Sequence, residues 1–573
     1  MKARTYPEYS VHYPLLLTTF MKRPVRLYPE RIGVVYRNPN TKVYHRFTWR
    51  QWYERTCRLA DGLRALKVKP GGPRRPGQRV ATMALNHHRH LELYYAVSCS
   101  GAVLHPINIR LSLEHIIHTI RHAGDRVLFF DDEFLPLVEG IYDRIKDTVR
   151  TFVYLSDEPA LPKTKIKNLL AYEDLLSGRS SDFDWPLLHE DTYATLCYTT
   201  GTTGVPKGVL FTHRALYLQS LHKIVRDYLN NDPALVKLGE REVVLLNTPL
   251  YHIHGWGYPY QYLFSANKLV FPGKFTAEGF CDLVQTEKVT MSNLVPTSLT
   301  MLIEFPDLKR YDLSSLKNIG VGGAALPLGL KTKAEELIPG FTATSAYGMT
   351  ETAPSLVSSF IKVHLADLPK EELDRIRVKT GLPLPGIEVE VLDDEGHPVP
   401  RDDQTIGHIV IRGPWVMEEY YKDPEKTAAV WRNGWFYTGD VARVDEEGYL
   451  TVADRVSDMI RSGAEMVPTV LLENLAASAD FILEAAFVGV PDEKWGERPM
   501  AVVTLTAGSS KTEADIFDYL EKEGVEKGKI TKWMLPDYIL ITPQIPKTSV
   551  GKFNKRHIRE HLNDFLAQAK KMR

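Results

Sequence analysis

One arrangement recurs along residues 193–351 and limits the fold more than any other feature of the sequence. Short apolar or β-branched runs end in clusters of Gly, Pro, Ser or Thr, and helix-like segments such as 213–228 and 277–287 lie between some of them. The runs are TYATLCYTTGTTG, EVVLLNTPLYH, NKLVFPG, VTMSNLVPTS, LKNIGVGGAA and FTATSAYGMTE. Strands that alternate with helices predict a mostly parallel α/β sheet. Ligands of such sheets bind beyond the carboxyl ends of the strands, where these clusters lie.

The pattern changes twice further along the chain. After Thr380 the runs IEVEVLDDEGHPV and GHIVIRGPW alternate and contain turn residues, which predicts a small antiparallel β unit. After Asp454 the segments EAAFVGV, MAVVTLTAG and ADIFDYLEKEGV indicate a compact α+β module. We therefore expect a large N-terminal domain at 1–453, with α/β layers and a small β subdomain, and a smaller α+β domain at 454–573.

Composition excludes several classes of protein. With 71 Lys and Arg against 71 Asp and Glu, the formal charge is zero, so no overall positive field favours nucleic acid or an anionic membrane. The proportions of hydrophobic and charged residues, 44% and 25%, are typical of globular domains rather than disordered chains. The four cysteines form no CxxC pair, which argues against a disulfide scaffold or a structural zinc site and favours reduced thiols in the cytoplasm.

Two segments bear on membranes and secretion. Residues 243–267 lack charged side chains and are long enough to span a bilayer, yet they include Asn247, Pro249, His252 and Gln261. These polar residues predict a buried interior segment instead. The first residues show no sustained apolar run, so we expect no signal peptide and no integral membrane segment.

The segment YTTGTTGVPKG at 198–208 predicts a phosphate-binding loop. Threonine hydroxyls and glycine amides after a buried strand can surround an anion, and Lys207 adds a point charge. The loop is not a Walker motif, because no Gly-Lys pair in the chain is followed by Ser or Thr.

Seven motifs in order give the chain a family resemblance. They are YTTGTTGVPKG (198–208), PLYHIHGW (249–256), GGAA (322–325), YGMTE (347–351), GWFYTGD (434–440), DRVSDMIRSGAE (454–465) and PKTSVGK (546–552). In these the chain resembles the adenylate-forming enzymes over nearly its whole length, and most of all the medium- and long-chain fatty acyl-CoA synthetases. The resemblance implies two half-reactions: a carboxylate attacks the α-phosphate of ATP to give acyl-AMP and pyrophosphate, and coenzyme A then displaces AMP.

The resemblance also implies how the phosphates are held. Mg²⁺ and lysines offset the repulsion between a carboxylate and a polyphosphate. Glu351 and Thr199 match the metal-holding positions, and Lys207 matches a catalytic lysine. The other residues implied to hold the phosphates belong to the loop: Thr200, Gly201, Thr202, Thr203 and Gly204.

The nucleoside pocket follows from the same resemblance. Tyr347 matches the aromatic residue that stacks on adenine, Asp440 the carboxylate that accepts from the ribose hydroxyls, and Arg455 a catalytic and nucleotide-holding residue. The remaining residues implied to line this pocket are Gly323, Ser345, Ala346, Thr350 and Arg461.

The C-terminal module carries the implied switch between half-reactions. Lys552 matches the lysine that bridges the acyl carboxylate and the α-phosphate during adenylation. Asp454 matches the hinge about which a mobile C-terminal domain exchanges Lys552 for a face carrying Arg461, Ser462 and Gly463. Gly463 is implied to lie by the coenzyme A channel, where the absence of a Cβ admits the pantetheine arm.

The resemblance also implies an acyl site, lined by Trp256, Gly323 and Gly348, with His252 as a catalytic residue beside it. His252 matches a pocket residue beside the reacting carboxylate, and Trp256 an apolar wall next to it, with Gly323 also in the acyl site. Gly348 stands where acetate-specific enzymes carry a pocket-shortening tryptophan, so a longer acid is permitted. Fatty acids fit best, because each buried methylene contributes about 0.8 kcal/mol and needs only apolar wall.

Other interpretations stay open at the level of sequence. Ser457 replaces a lysine that many acyl-CoA synthetases carry, and Ala464 replaces a second glycine. Aromatic or branched acids, transfer to a carrier protein, and a non-catalytic nucleotide- or lipid-binding role are the alternatives. The absence of a carrier domain after Lys552 favours free coenzyme A as acceptor. Small-molecule substrates are the expected partners, and a homodimer is implied by the resemblance alone.

Overall fold

The computed structural model describes residues 13–199, 205–235, 239, 241–463, 465–548 and 552–573. Thr200, Gly201, Thr202, Thr203 and Gly204 of the expected phosphate loop therefore lie outside the described residues, as does Ala464.

The first third of the described chain alternates strands and helices. In order they are α1 (Thr18–Leu27), β1 (Ile32–Arg37), β2 (Tyr44–Thr48), α2 (Trp49–Ala65), β3 (Arg79–Met83), α3 (His88–Cys99), β4 (Val103–Pro106), α4 (Leu113–Ala123), β5 (Asp125–Asp131), α5 (Leu135–Ile145), β6 (Thr151–Leu155), β7 (Leu169–Ala171), α6 (Tyr172–Leu176), β8 (Tyr193–Tyr198), β9 (Gly208–Thr212) and α7 (His213–Leu229).

The second part continues this alternation. It comprises β10 (Val243–Leu245), α8 (Tyr258–Phe264), β11 (Lys268–Phe271), α9 (Ala277–Glu287), β12 (Met291–Leu294), α10 (Pro296–Ile303), β13 (Asn318–Val321), α11 (Leu328–Leu337), β14 (Thr342–Gly348), β15 (Ser355–Ser358), α12 (Lys370–Val378) and β16 (Leu382–Pro383).

The remainder is richer in antiparallel strands. It comprises β17 (Glu388–Leu392), β18 (Gly407–Arg412), α13 (Pro424–Val430), β19 (Trp431–Arg432), β20 (Trp435–Val444), β21 (Leu450–Arg455), β22 (Ile460–Ser462), β23 (Glu465–Val467), α14 (Thr469–Ala476), β24 (Ile482–Asp492), β25 (Gly496–Leu505), α15 (Glu513–Leu520), β26 (Tyr538–Ile541), α16 (Lys555–Glu560), α17 (Leu562–Leu566) and β27 (Lys570–Lys571).

Two largely parallel sheets form the bulk of the N-terminal part. Sheet A has the order β16-β15-β14-β13-β12-β10-β11-β1-β2, and its strands β10–β14 and β1 run parallel. Sheet B has the order β7-β6-β5-β3-β4-β8-β9, with β9 antiparallel to β8. The expected parallel α/β architecture is confirmed, but the strand of TYATLCY pairs in sheet B and the other five runs in sheet A. Periodicity cannot make this distinction, because it identifies strands without identifying their neighbours.

The helices between these strands begin and end at ordinary capping signals. The side chain of Thr212 accepts from the amide of Ala215 at the start of α7, and that of Thr276 accepts from Gly279 at the start of α9. Each bond satisfies one amide that the first helical turn leaves without a partner. Helix α9 ends at Lys288, whose φ of 55° is left-handed.

The parts of the chain after Thr380 and after Asp454, where the sequence pattern changes, form two further sheets. Sheet C is antiparallel, in the order β17-β18-β20-β19 with β21 on β20, and confirms the expected β unit. Sheet D has the order β23-β22-β25-β26-β27 with β24 on β25, and α14 and α15 pack on it as an α+β module. Asp454 lies within β21, so the division at 453/454 falls inside a strand of sheet C.

The uncharged segment 243–267 is part of this interior. It forms β10, the turn 253–257 and α8, and Tyr260, Leu263 and Leu250 are fully buried in it. In the part of the chain that the structure describes, no helix combines the length and the apolar character needed to cross a bilayer.

Candidate active site

A cavity of about 1950 Å³ lies between sheets A and C and the C-terminal module. Its walls include the ends of β13 and β14, the β20–β21 pair and the segment around Lys552. Sixteen of the residues singled out from sequence border it: Thr199, Lys207, His252, Trp256, Gly323, Ser345, Ala346, Tyr347, Gly348, Thr350, Glu351, Asp440, Asp454, Arg455, Arg461 and Lys552. Gly463 is not among its lining residues.

One end of the cavity presents a carboxylate fixed between an aromatic and a basic residue. Asp440 and Arg455 are direct partners in the antiparallel register of β20 and β21, with Arg455 Nε 3.4 Å from Asp440 Oδ1. The hydroxyl of Tyr347, at the end of β14, donates to the same carboxylate. Burial raises the pKa of Asp440 and the Arg455 charge opposes that rise. This end offers an aromatic face beside a hydrogen-bond acceptor, which suits a nucleoside.

A second group joins the start of the phosphate loop to Glu351. The Thr199 amide donates to the Lys207 carbonyl (2.9 Å), and the Lys207 amide donates to Thr199 Oγ1 (3.3 Å), so the two residues close the mouth of the β8–β9 hairpin. Burial lowers the pKa of Lys207, while the Glu351 charge acts in the opposite direction. A cation and a carboxylate therefore face the cavity together.

Tyr420 contacts both Glu351 and Lys207, and the sequence analysis did not identify it. Its hydroxyl donates to Glu351 Oε1 at 2.7 Å, and its ring centroid lies 4.0 Å from Lys207 Nζ. The Met417 amide also donates to the Glu351 carbonyl at 2.8 Å. No spacing in the sequence links Tyr420 to Glu351, since the contact depends on how the chain between β18 and α13 lies over sheet A.

Lys552 enters the cavity next to two glycines of the GGAA motif. Its Cε lies 3.6 Å from the point a Cβ on Gly323 would occupy, and the Trp256 ring lies 3.1 Å from the equivalent point on Gly322. Burial lowers the pKa of Lys552 to about 8, with Arg455 adding to the effect and Asp440 opposing it. Burial, assisted by Lys552, lowers the pKa of His252 to about 3. His252 is therefore a neutral imidazole beside a cationic lysine at neutral pH.

The residues that follow His252 form a left-handed turn. The φ angles are 32° at Ile253, 54° at His254 and 59° at Trp256, and the two glycines of the turn are also positive. Such backbone costs roughly 1–2 kcal/mol for each residue with a Cβ, so tertiary contacts must hold it. His254 Nε2 meets Thr195 Oγ1 at 2.8 Å, and Lys223 Nζ donates to the Trp256 carbonyl at 2.8 Å.

Gly348 lies in the cavity wall. The structure shows a reason for glycine at this position that the sequence analysis did not give. A Cβ at this position would stand 1.8 Å from the carbonyl oxygen of Pro354, inside the backbone of the neighbouring segment. Glycine is required here by the close approach of β14 to the segment before β15. The width of the cavity at this point is therefore set by the two backbones together rather than by a missing side chain.

Asp454 is held by the C-terminal module. It is buried, and its Oδ2 accepts from the amide and the hydroxyl of Thr469 at 2.6 and 2.5 Å. Lys555 donates to the same hydroxyl and pairs with Glu473 at 2.8 Å. Sequence reasoning found Asp454 but none of these partners, which fix the end of β21 to the first turn of α14.

Gly463 lies apart from the cavity. Its φ is 67°, its amide donates to the Trp495 carbonyl at 2.7 Å, and a Cβ there would contact the Trp495 ring at 3.5 Å. Arg461, two residues earlier, borders the cavity and is anchored through its amide to Glu497. In this arrangement the structure brings Lys552 to the cavity and leaves Gly463 outside it.

Two family models match the chain. The model of the AMP-binding enzyme family covers residues 21–421, and that of the AMP-binding enzyme C-terminal domain covers residues 471–552. Among solved structures, an anthranilate CoA ligase in complex with anthranoyl-AMP superposes with a TM-score of 0.82 over 98% of this chain and 99% of that one, at 23% identity. This superposition shows that the two chains share a fold.

Similar sequences with assigned activities cover nearly the whole chain. A long-chain-fatty-acid–CoA ligase of Thermus thermophilus is 38% identical over 99% of both chains. A 3-methylmercaptopropionyl-CoA ligase of Ruegeria pomeroyi is 37% identical over 89% of this chain and 92% of the relative. A medium-chain-fatty-acid–CoA ligase of Ectopseudomonas oleovorans is 34% identical over 91% of this chain and 92% of the relative.

Proposed function

The chain belongs to the AMP-binding enzyme family, and from this premise we propose that it is an ATP-dependent ligase joining medium- or long-chain fatty acids to coenzyme A. One observation carries the proposal: Lys552 reaches the cavity that also holds the Tyr347–Asp440 pair and the Lys207–Glu351 group. These are a bridging cation, a nucleoside site and a phosphate site within one enclosure. The fatty acid ligases among the relatives support the acyl class.

In the first half-reaction an oxygen of the fatty acid carboxylate attacks the α-phosphorus of ATP. The new O–P bond gives acyl-AMP, and the bond to the β-phosphate oxygen breaks to release pyrophosphate. Lys552, protonated near neutral pH, places its charge between the two anionic reactants, and Lys207 supplies charge to the phosphates. A neutral His252 adds no second positive charge beside Lys552.

In the second half-reaction the thiolate of coenzyme A attacks the acyl carbon and AMP leaves with the former carboxylate oxygen. We propose that residues 454–573 rotate about Asp454 between the two steps and bring Gly463 to the channel. The two hydrogen bonds that Thr469 donates to Asp454 support a pivot there, because they join the last residues of β21 to the module that moves.

Glu351 and Thr199 fit Mg²⁺, since both offer hard oxygen donors at the phosphate end and magnesium commonly takes few protein ligands together with substrate phosphates. Bound there, the ion would neutralise polyphosphate charge. Tyr420 would hold the Glu351 carboxylate in orientation. The four free, buried cysteines fit a reducing compartment such as the cytoplasm.

The test measures pyrophosphate, AMP and acyl-CoA from ATP, Mg²⁺ and coenzyme A with saturated, branched and aromatic acids. We expect thioester with a maximum at medium or long chains, and loss of acyl-AMP formation by at least 100-fold in Lys552→Ala. Conversion of preformed acyl-AMP should survive in that variant. The matched control is Lys547→Ala, because Lys547 belongs to the same segment but does not line the cavity, and its ammonium group pairs with Glu484 at 2.7 Å.

Two results would contradict this proposal, and each would indicate a different function. Acyl-AMP without thioester would indicate transfer to another acceptor, such as a carrier protein. Absence of pyrophosphate with every acid would indicate a non-catalytic member that binds nucleotide or lipid.

A further inference from the structure

A buried lysine lines the cavity without an acidic partner. Lys223 of α7 is 3% exposed, donates to the Trp256 carbonyl and lies 4.5 Å from the Tyr258 ring centroid. Among the described residues no carboxylate oxygen comes within 4.0 Å of its ammonium group. A buried cation that is satisfied only by a carbonyl and a ring face is costly, since neither cancels its charge.

The neighbouring charges do not balance Lys223. Arg226, one turn further along α7, pairs with Asp227 at 2.6 Å and donates to Ser358 Oγ at 2.5 Å. The second oxygen of Asp227 accepts from Gln261 at 2.5 Å. When Lys223 is protonated, the two cations and one carboxylate leave one positive charge in excess, and an anion bound beside Lys223 would favour that protonated form. Burial lowers the pKa of Lys223 well below its ordinary value, with Arg226 adding to the effect and Asp227 opposing it.

An end wall of the cavity is formed by the cluster around Lys223, which includes Arg226, Tyr258 and Ser358. Arg226, Tyr258 and Ser358 border both the large cavity and a second one of about 70 Å³, so they stand between the two. Trp256 separates the cluster from the reacting centre: its ring packs on Gly322 near Lys552, and its carbonyl accepts from Lys223. A chain that passes the Trp256 ring would therefore meet polar donors and an excess positive charge instead of the apolar wall that a plain hydrocarbon end requires.

We propose that this end wall, with Lys223 at its centre, binds a second carboxylate at the far end of the acyl chain, so that the enzyme selects α,ω-dicarboxylic acids over monocarboxylic acids of equal length. The inference rests on the proposed ligase function and refines its substrate class. A carboxylate would pair with the ammonium of Lys223 and accept from the Nε–H of Arg226, which has no hydrogen-bond partner among the described residues. The methylenes between the two carboxylates would contact the apolar parts of the wall, such as Pro354 and Val357.

The experiment compares kcat/KM for monocarboxylic and dicarboxylic acids of equal carbon number, over a series of lengths, in the full-length enzyme. Wild type should favour the diacid at least 10-fold at the length that reaches the wall. Lys223→Met should lower kcat/KM for that diacid at least 10-fold and by more than for the matched monocarboxylic acid, because it removes both the charge and the donor to the Trp256 carbonyl. Lys223→Gln is the matched variant, because it can keep a donor to the Trp256 carbonyl while removing the charge, and it should lose the diacid preference alone.

Each alternative outcome has a distinct signature. An equal fall for both acids in Lys223→Gln would assign Lys223 to positioning the Trp256 turn and overturn the proposal. Thioester formed only from monocarboxylic acids, at every length, would overturn it while leaving the ligase function intact. Absence of pyrophosphate release with all acids would refute the proposed ligase function itself.

Discussion

Tyr420→Phe tests whether the tyrosine hydroxyl orients Glu351 for catalysis. The substitution removes one atom, the hydroxyl oxygen 2.7 Å from Glu351 Oε1, and keeps the ring 4.0 Å from Lys207 Nζ. Glu351 is 5% exposed, so water cannot readily replace the lost donor. A hydrogen bond to a charged group contributes about 1.5–3 kcal/mol. If that energy is realised in the transition state, kcat/KM falls roughly 10- to 150-fold.

The assay is pyrophosphate release at saturating fatty acid with ATP and Mg²⁺ varied. We expect the loss to appear in adenylation, and to be partly offset by raised Mg²⁺ if Glu351 holds the metal. Tyr421→Phe is the control, because the adjacent Tyr421 ring packs on His122 and Lys422 rather than on Glu351. A Tyr420→Phe enzyme within twofold of wild type, beside a strongly impaired Glu351→Gln enzyme, would refute the reasoning.

Three further predictions follow from the same geometry. Adenylation should depend on protonated Lys552, whose pKa is lowered to about 8, so kcat/KM should fall as pH rises through that value; the fall should be absent in Lys552→Arg. Lys555→Met leaves the buried Glu473 unpaired and should destabilise the C-terminal module by about 3 kcal/mol, measured by denaturant unfolding, and unchanged stability would contradict this. Gly322→Ala should raise KM for both the acid and ATP, since its Cβ would stand 3.1 Å from the Trp256 ring and 3.1 Å from the Ala346 carbonyl, and an unchanged KM for the acid would count against an acyl role for that ring.

Local structure and the family motifs could be predicted from the sequence to a large extent. The helix expected at 277–287 has those bounds, and its start follows from one local bond between Thr276 and Gly279. The strands of LKNIGVGGAA and FTATSAYGMTE could be predicted because each run of β-branched or apolar residues ends in a cluster of turn-forming residues. Motifs spread over 198–552 were expected to meet at one site, and residues from all seven motifs do border one cavity.

Contacts between distant segments could not be predicted in this way. Tyr420 and Glu351 are 69 residues apart, and Asp454 lies in a strand of sheet C whereas Thr469 begins helix α14, so no period or motif relates the members of either pair. Gly348 shows the same limit: its identity could be read from the motif, but the clash with the Pro354 carbonyl exists only once two backbones approach.

The sequence by itself determined the fold class, the family and the chemistry the site residues can perform, because these depend on residue type and on periodicity along the chain. Only the tertiary structure decided which sheet each strand joins, that Tyr420 contacts both Lys207 and Glu351, and that among the described residues no carboxylate oxygen lies within 4.0 Å of the Lys223 ammonium group. The physical reason is that packing brings together side chains far apart in sequence, and their burial then decides whether a charge is screened, paired or left in excess.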